Sequence, residues 1–511
     1  MKRPNVIFIT SDQHRADAIG PENPRVHTPH LDRMAQQGTR FAACVTPNLV
    51  CQPARASILT GLLPSLHGVR DNGIDLPPAA GEKGFAARLR GAGYRTAFFG
   101  KAHFSTKSTF QPTGTPEDRN SGHLYEAGWT GPYMGFDYLQ LIVLGHFHKP
   151  PPPGLPLVGH WERWLMSRGR GEALEEWKRP FRPGIDAAQT WSSSLPVAWH
   201  SSSWTADRAI EWIHAQAGQG PLCAWISFPD PHHPFDCPMP WSQVHRPEDM
   251  LLPTHREQDL DRRPWWHRAS LENKPVVADP EMLKYRESGT RITRQSDEQL
   301  AAMTANYYSM VSLVDHSVGR ILDALERAGI QDETYVVFAS DHGEMLGNHG
   351  LYLKHPTPYE DLLRVPLVVR GPGVAPGQVV DEPVSTLDLG PTFLEWAGSP
   401  ADRSAFNGTS LAALAAGERQ PRQAAYSEWH VDASRCGVEL RLETVRTRTA
   451  KLTIERGSGA GELYDLAADP GEMDNLFEAP AAAGLRRELE ALLDRKPRPA
   501  QTVRLPIVGM A

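Results

Sequence analysis

Short apolar runs that stop abruptly at polar or charged residues recur along this chain, with stretches of helical period between them. Asn5 to Thr10 is apolar and β-branched, then breaks into Ser11 and Asp12, which predicts a buried parallel strand whose carboxyl end presents an acid. Thr96 to Phe99, Leu222 to Phe228, Tyr335 to Ala339 and Val365 to Val369 repeat the pattern. From Ala301 to Ala328 apolar residues return every three or four positions, among them Met310, Leu313, Val314, Val318, Ile321, Leu322 and Leu325, and Gly329 ends the run. That spacing predicts a long amphipathic helix. Shorter helices are predicted from Pro29 to Gln37, Ala54 to Leu63, Phe85 to Gly91 and Trp204 to Ala217. Strand and helix alternate as far as about residue 400, which predicts an α/β protein with a large, mostly parallel sheet flanked by helices.

Two stretches interrupt the alternation. Residues 104–203 are rich in Pro, Gly, Trp and His, with Pro150 to Pro153 consecutive, and residues 236–294 are similarly irregular. Insertions of this size shape a binding site or an oligomer contact, so a homo-oligomer is expected. After Gly417 the segments shorten: Ala424 to His430, Glu439 to Arg448, Lys451 to Arg456 and Leu463 to Leu466 predict a small antiparallel sheet, closed by a helix from Leu485 to Leu493. The expected plan is a large α/β domain over residues 1–417, with insertions around 104–203 and 236–294, and a smaller α+β domain over 418–511.

Composition narrows the classes of partner. The net charge of -7 gives no global basic field for nucleic acid or an anionic membrane. Any anionic ligand must then be met by local Lys, Arg and His. The apolar stretch Val6 to Ile9 is too short for a signal-peptide core, and no run approaches a membrane span. Five cysteines, odd in number and without pattern, argue against a disulfide framework. A cytoplasmic protein with neither nucleic-acid nor membrane partner is expected.

Candidate chemistry collects at the predicted strand ends. Asp12 follows the first strand and Asp341 and His342 follow the strand ending at Ala339, so both should reach the sheet edge where ligands bind in open α/β folds. Carboxylates beside an imidazole suit a divalent metal; a helix cap and a turn histidine are the alternative. Cys51 stands between Pro47 and Pro53 just before a predicted helix, where the helix N-terminus favours a negative charge. A buried structural thiol is the other reading of Cys51. A strand followed by Gly100 brings Lys101 and His103 to the same edge, and Phe228 to Phe235 brings His232, with His233 beside it. Lys354, in the run Leu351 to His355, and the nearby His349, His355 and Asn72 complete the candidates.

Taken together, these segments resemble the motifs of the type I, formylglycine-dependent sulfatases of the alkaline phosphatase superfamily, with arylsulfatases and phosphonate monoester hydrolases the most similar branches. Cys51, Pro53 and Arg55 match C-x-P-x-R; Ser340 to Gly347 matches the second metal motif and Asp12 with Gln13 the first; Gly93 to His103 matches G-Y-x-T-x-x-x-G-K-x-H; and Pro231 to Pro234 lies in the P-H-x-P segment. Glu462 to Leu476 resembles the family's C-terminal segment.

The resemblance implies an alkaline phosphatase-like fold and hydrolysis of aryl or alkyl sulfates. It implies that a maturation enzyme oxidises Cys51 to formylglycine, whose gem-diol attacks sulfur on a divalent metal held by Asp12, Gln13, Cys51 in its modified form, Asp341 and His342. Arg55 supports that centre, Lys101 and Lys354 contact the sulfate, His232 protonates the leaving oxygen and His103 acts as base. A plain thiol has no second proton whose loss would expel sulfate. Many sulfatases carry a second acid at the position of Gln13 and an Asn at that of His342, and this departure leaves calcium or manganese as the expected ion. The same departure fits a phosphonate or phosphate monoester hydrolase, the main rival reading; a non-catalytic metal-binding relative is the third. Trp161, Trp164, Trp265 and Trp266, in the insertions, are candidate aromatic walls for an aryl or choline-like group.

Overall fold

The computed structural model describes residues 3–510 except 127, 144, 146–157, 169–185, 258, 400–402 and 502. Part of the first insertion, including Pro150 to Pro153, lies outside the described residues. Eight strands form the large sheet: β1 (Asn5–Ser11), β2 (Thr39–Phe41), β3 (Arg95–Lys101), β4 (Tyr138–Ile142), β5 (Leu222–Phe228), β6 (Thr334–Ser340), β7 (Leu367–Arg370) and β8 (Gln378–Val380). Their order is β8-β2-β7-β6-β1-β5-β3-β4.

The continuous apolar runs follow from burial on both faces. Every residue of β1 is buried. Val6 and Phe8 enter a core with Phe85, Phe98, Trp225 and Phe393, whereas Ile7 and Ile9 enter a second core with Phe99, Ile226, Val314 and Leu322. Phe8 and Trp225 have ring centroids 5.0 Å apart. Each such side chain contributes about 1.5–3 kcal/mol on full burial, so a polar residue on either face of a central strand is strongly disfavoured.

Helices cover these faces. The second core is covered by α1 (Asp297–Arg327), the long predicted helix, which starts earlier than its apolar period because Ser296 and Gln299 form a capping box. Beside it runs α2 (Ser201–Gln216).

Two features depart from the expected alternation. The run at Val365 to Val369 becomes β7, but it pairs antiparallel with both β6 and β2. An antiparallel neighbour needs no crossover helix, and between β6 and β7 the chain makes only the helical turns at Asn348–Gly350 and Glu360–Leu363. Inside the first insertion lies an unpredicted strand, β4, parallel to β3. Its alternation of Tyr, Leu, Gln, Leu and Ile is short and is flanked by Gly- and Pro-rich sequence.

The C-terminal segments form the expected small antiparallel sheet of β9 (Ala425–Val431), β10 (Leu440–Arg446), β11 (Ala450–Glu455) and β12 (Gly461–Asp465). A helix over Ala483–Leu493 closes it with Leu489, Leu492 and Leu493. Among the described residues no helix is long and apolar enough to cross a membrane.

Register fixes what the large sheet presents at its carboxyl edge. Ser11 pairs with Phe228 on one side and Ser340 on the other, and Gly100 pairs with Ser227. Asp12, Lys101, the loop after Phe228 and Asp341 therefore leave the sheet at one level.

Candidate active site

The helix carrying Cys51 spans Cys51–Thr60, and all ten of its residues are buried. Pro53 falls in its first turn, where a missing N–H is harmless, and Gly61, at φ 69, ends it in the left-handed conformation. The free N–H of Gln52 donates to Asn72 Oδ1 at 3.0 Å, so Asn72 caps the helix from outside.

Cys51 is 1% exposed, and its sulfur meets four of the expected residues. Sγ lies 3.1 Å from His342 Nε2, 3.4 Å from Lys354 Nζ, 3.6 Å from Asp12 Oδ1 and 4.0 Å from Lys101 Nζ. Burial and Asp12 push the thiol pKa up, but Lys101, Lys354 and His342 outweigh them and bring it below its ordinary value. The other four thiols, Cys44, Cys223, Cys237 and Cys436, are free and buried, and burial raises each of them. An electropositive surrounding is the mark of a reactive rather than a structural cysteine position.

Arg55, one turn further along the helix, is wholly buried. Its Nε donates to Asp341 Oδ2 at 2.8 Å and Nη2 to Asp12 Oδ2 at 3.3 Å, while Nη1 donates to the Lys101 carbonyl at 2.7 Å and Ser227 Oγ at 2.8 Å. Lys101 Nζ is 2.5 Å from Asp12 Oδ2. Burial alone would raise the Asp12 carboxyl, but Lys101, then Arg55 and His342, hold it far below the ordinary carboxylate range.

The donor set fits a divalent cation. Asp12, Cys51, Asp341 and His342 offer ligand atoms that all lie within 4.8 Å of one another, and all four are buried. His342 Nδ1 lies 2.9 Å from the Gly343 carbonyl; donation there puts the ring proton on Nδ1 and leaves the Nε2 lone pair facing Asp12 Oδ1 at 3.7 Å and Asp341 Oδ2 at 3.9 Å. Gln13 adjoins this group. Its N–H donates to Asp341 Oδ1 at 3.1 Å, but its side-chain amide donates to Glu344 and lies 3.0 Å from His233 Nδ1.

His232 Nε2 is 2.9 Å from Lys354 Nζ, and its ring stacks on His233 with centroids 4.1 Å apart. His103 occupies the left-handed region at φ 52, uncommon for a residue with a side chain. Its buried Nδ1 has no hydrogen-bond partner among the described residues, and burial, then Lys101 and Arg55, keeps its pKa well below the ordinary imidazole value. His349 stacks on Tyr359 and His355 Nδ1 lies 3.1 Å from Arg291 Nη1, so both are engaged away from the Cys51 sulfur. Trp161 and Trp266 do not form the expected aromatic wall: they are 1% and 0% exposed, and their Nε1 groups donate to Trp199 and Pro356 carbonyls. Their apolar surface is used by the core.

Sequence reasoning missed several supports. Ser227, the penultimate residue of β5, receives Arg55. The Asp230 carbonyl accepts Asp12 N–H at 3.1 Å. Glu344 accepts the N–H groups of Leu346 and Leu353 and so folds the loop that carries Lys354. Glu344 lies within the second metal motif, which was the one available signal for it.

A family model described as Sulfatase matches residues 4–399, and one described as N-sulphoglucosamine sulphohydrolase, C-terminal, matches residues 347–498. The chain is 27% identical to the choline-sulfatase of Rhizobium meliloti (strain 1021), with 97% of this chain and 86% of that protein covered. It is 28% identical to the multifunctional alkaline phosphatase superfamily protein PehA of Trinickia caryophylli, over 96% of this chain and 94% of that one. Among solved structures, the phosphonate monoester hydrolase of Agrobacterium radiobacter superposes with a TM-score of 0.74 at 26% identity, covering 96% and 95% of the two chains.

Proposed function

The chain belongs to the sulfatase family of the alkaline phosphatase superfamily and is a sulfuric ester hydrolase, and from that premise we propose that it cleaves aryl or alkyl sulfates with a formylglycine made from Cys51. The observation that carries this reading is the convergence of two ammonium groups, an imidazole and a carboxylate on one buried sulfur.

Asp12, Asp341 and His342 would hold one divalent cation, calcium or manganese, with Gln13 bracing Asp341 through its backbone. Hydrated formylglycine supplies one hydroxyl to attack sulfur and a second whose deprotonation restores the aldehyde, and the cation supplies positive charge beside them. Lys101 and Lys354 would bind the sulfuryl oxygens, where fixed charge in a buried site is most effective. His232, whose Nε2 here accepts from Lys354, would give a proton to the departing oxygen once Lys354 turns to the sulfuryl oxygens. His103, kept neutral by its surroundings, would accept a proton from the second hydroxyl. Arg55 would hold both carboxylates and the Lys101 carbonyl in register.

Because Cys51 is almost wholly buried, the maturation enzyme would have to reach it before folding is complete. Five free thiols suit a reducing cytoplasm. Among the described residues, seven of the nine exposed large apolar ones, Phe110, Leu124, Met239, Val244, Leu251, Trp265 and Val276, lie in the two insertions, which supports self-association there.

Similarity to a phosphonate monoester hydrolase favours a second reading, in which phosphonate or phosphate monoesters are the better substrates. Comparing kcat/KM for an aryl sulfate and the matched aryl phosphonate tests the choice. The sulfate is expected to be faster; a faster phosphonate would replace the first reading by the second.

A further inference from the structure

A path of hydrogen bonds and charge interactions leads from Cys51 through a group of cations that the chemistry above does not use and back to Lys354. Gln52 N–H meets Asn72, and the adjacent Asp71 receives Arg435 through Nε at 2.8 Å and Nη2 at 2.6 Å. Arg435 shares its surroundings with Arg286 and Arg291: burial, then Arg435, lowers the pKa of Arg286, and burial, Arg435 and Arg286 bring Arg291 to about 10. Arg291 Nη1 lies 3.1 Å from His355, whose neighbour Lys354 touches the Cys51 sulfur. Lys107 lies near enough to Tyr285, the residue before Arg286, and to Lys101, Arg119 and Cys51 for their charges to act on it, and its carbonyl accepts the Arg119 N–H at 3.1 Å.

These five cations are poorly compensated. Asp71 is the one carboxylate paired with any of Lys107, Arg119, Arg286, Arg291 and Arg435 among the described residues. Arg286 is 1% exposed, yet its Nε and Nη1 have no hydrogen-bond partner; Arg291 Nε and Arg119 Nη2 are likewise buried without one. Lys107 makes no ion pair or side-chain hydrogen bond among the described residues, and it and Arg291 stay half-buried rather than closed off. Buried guanidinium groups are ordinarily paired, and their fork geometry matches carboxylate and sulfate oxygens.

We propose that this cluster is a second oxyanion subsite, which receives a carboxylate or a further sulfate of the same substrate while its scissile sulfate lies at Cys51. The inference rests on the sulfatase reading and narrows it: the physiological substrate is a sulfate ester carrying at least one more anionic group.

Three probes test it: nitrophenyl sulfate, the same ester with a ring carboxylate, and the same ester with a second sulfate. Wild type should favour at least one dianion over the monoanion in kcat/KM by about thirtyfold, the lower end for one well-buried charge pair. Whichever dianion wins identifies the second group. Arg286→Gln and, as a less buried alternative, Lys107→Met should shrink that preference to about threefold or less, mainly through KM. Calorimetric binding to Cys51→Ala protein, which needs no turnover, should show the same preference and its loss in the Lys107→Met background. Equal kcat/KM and equal binding for all three probes, or a preference that survives both substitutions, would overturn the subsite. Absence of turnover with a clear binding preference would instead count against the sulfatase reading alone.

Discussion

Arg55→Met removes the guanidinium that serves both carboxylates of the site while keeping a long, unbranched side chain. In the native protein Arg55 is fully buried, pairs with Asp341 at 2.8 Å and Asp12 at 3.3 Å, and also satisfies the Lys101 carbonyl and Ser227 Oγ. Removing one partner of a buried ion pair costs about 3–5 kcal/mol. The two orphaned neutral acceptors add about 1 kcal/mol each at the low end of the usual range, and Ser227 can rotate its hydroxyl, so about 5 kcal/mol is expected overall. That is a large share of an unfolding free energy of about 5–15 kcal/mol. Urea unfolding followed by the fluorescence of the fourteen Trp residues reads the change directly. The measurement belongs in two buffers, one with chelator and one with excess calcium or manganese. In chelator the full loss is expected, because Lys101, His342 and the more distant Lys354 then face two buried carboxylates without a guanidinium. With the cation present part of the loss should be regained, since it neutralises the same oxygens and binds only the folded chain. A loss below about 1 kcal/mol in chelator would refute the reasoning, for it would mean that Asp12 and Asp341 do not depend on Arg55 for their charge.

Further outcomes follow from other parts of the molecule. His232→Ala should slow esters with poor leaving groups, such as alkyl sulfates, by about 10²–10⁴-fold but nitrophenyl sulfate far less, because only the former need a proton on the departing oxygen; equal losses in kcat for both classes would remove His232 from the acid role. Glu462, 3.1 Å from His267 Nε2 and accepting the Tyr464 hydroxyl, is held at about 2 because these groups and Arg263 outweigh the effect of burial, against an ordinary value of 4.5. Its folded pKa is depressed, so its contribution, about 3 kcal/mol, is present above pH 4.5 and is lost as the pH falls toward 2. Glu462→Gln should therefore destabilise the protein at neutral pH and flatten its stability between those limits; an unchanged acid limb in urea midpoints measured across that range would contradict the assignment.

The large sheet was legible because its central strands are buried on both faces, which leaves continuous apolar runs such as Asn5–Ser11 and Leu222–Phe228. Asp12, Lys101, Asp341 and His342 were legible for a related reason: they stand immediately after or at the end of those runs, and register alone brings them together. Supports that depend on tertiary contacts were not. Ser227 looks like any strand residue until Arg55 reaches it, and the cations Lys107, Arg286 and Arg291 lie in irregular sequence with no period to align them. Gln13 was placed at the same edge by its position after Asp12, but its amide contacts with Glu344 and His233 were not legible. Trp161 and Trp266 misled because composition does not distinguish a wall from a core.

Mass spectrometry of the peptide carrying Cys51, made on preparations spanning a range of specific activities, bears most directly on the central claim. The account predicts that the peptide contains an aldehyde in place of the thiol and that turnover rises in proportion to the aldehyde fraction, reaching zero when only thiol remains. Full turnover from protein in which Cys51 is entirely unmodified would contradict it.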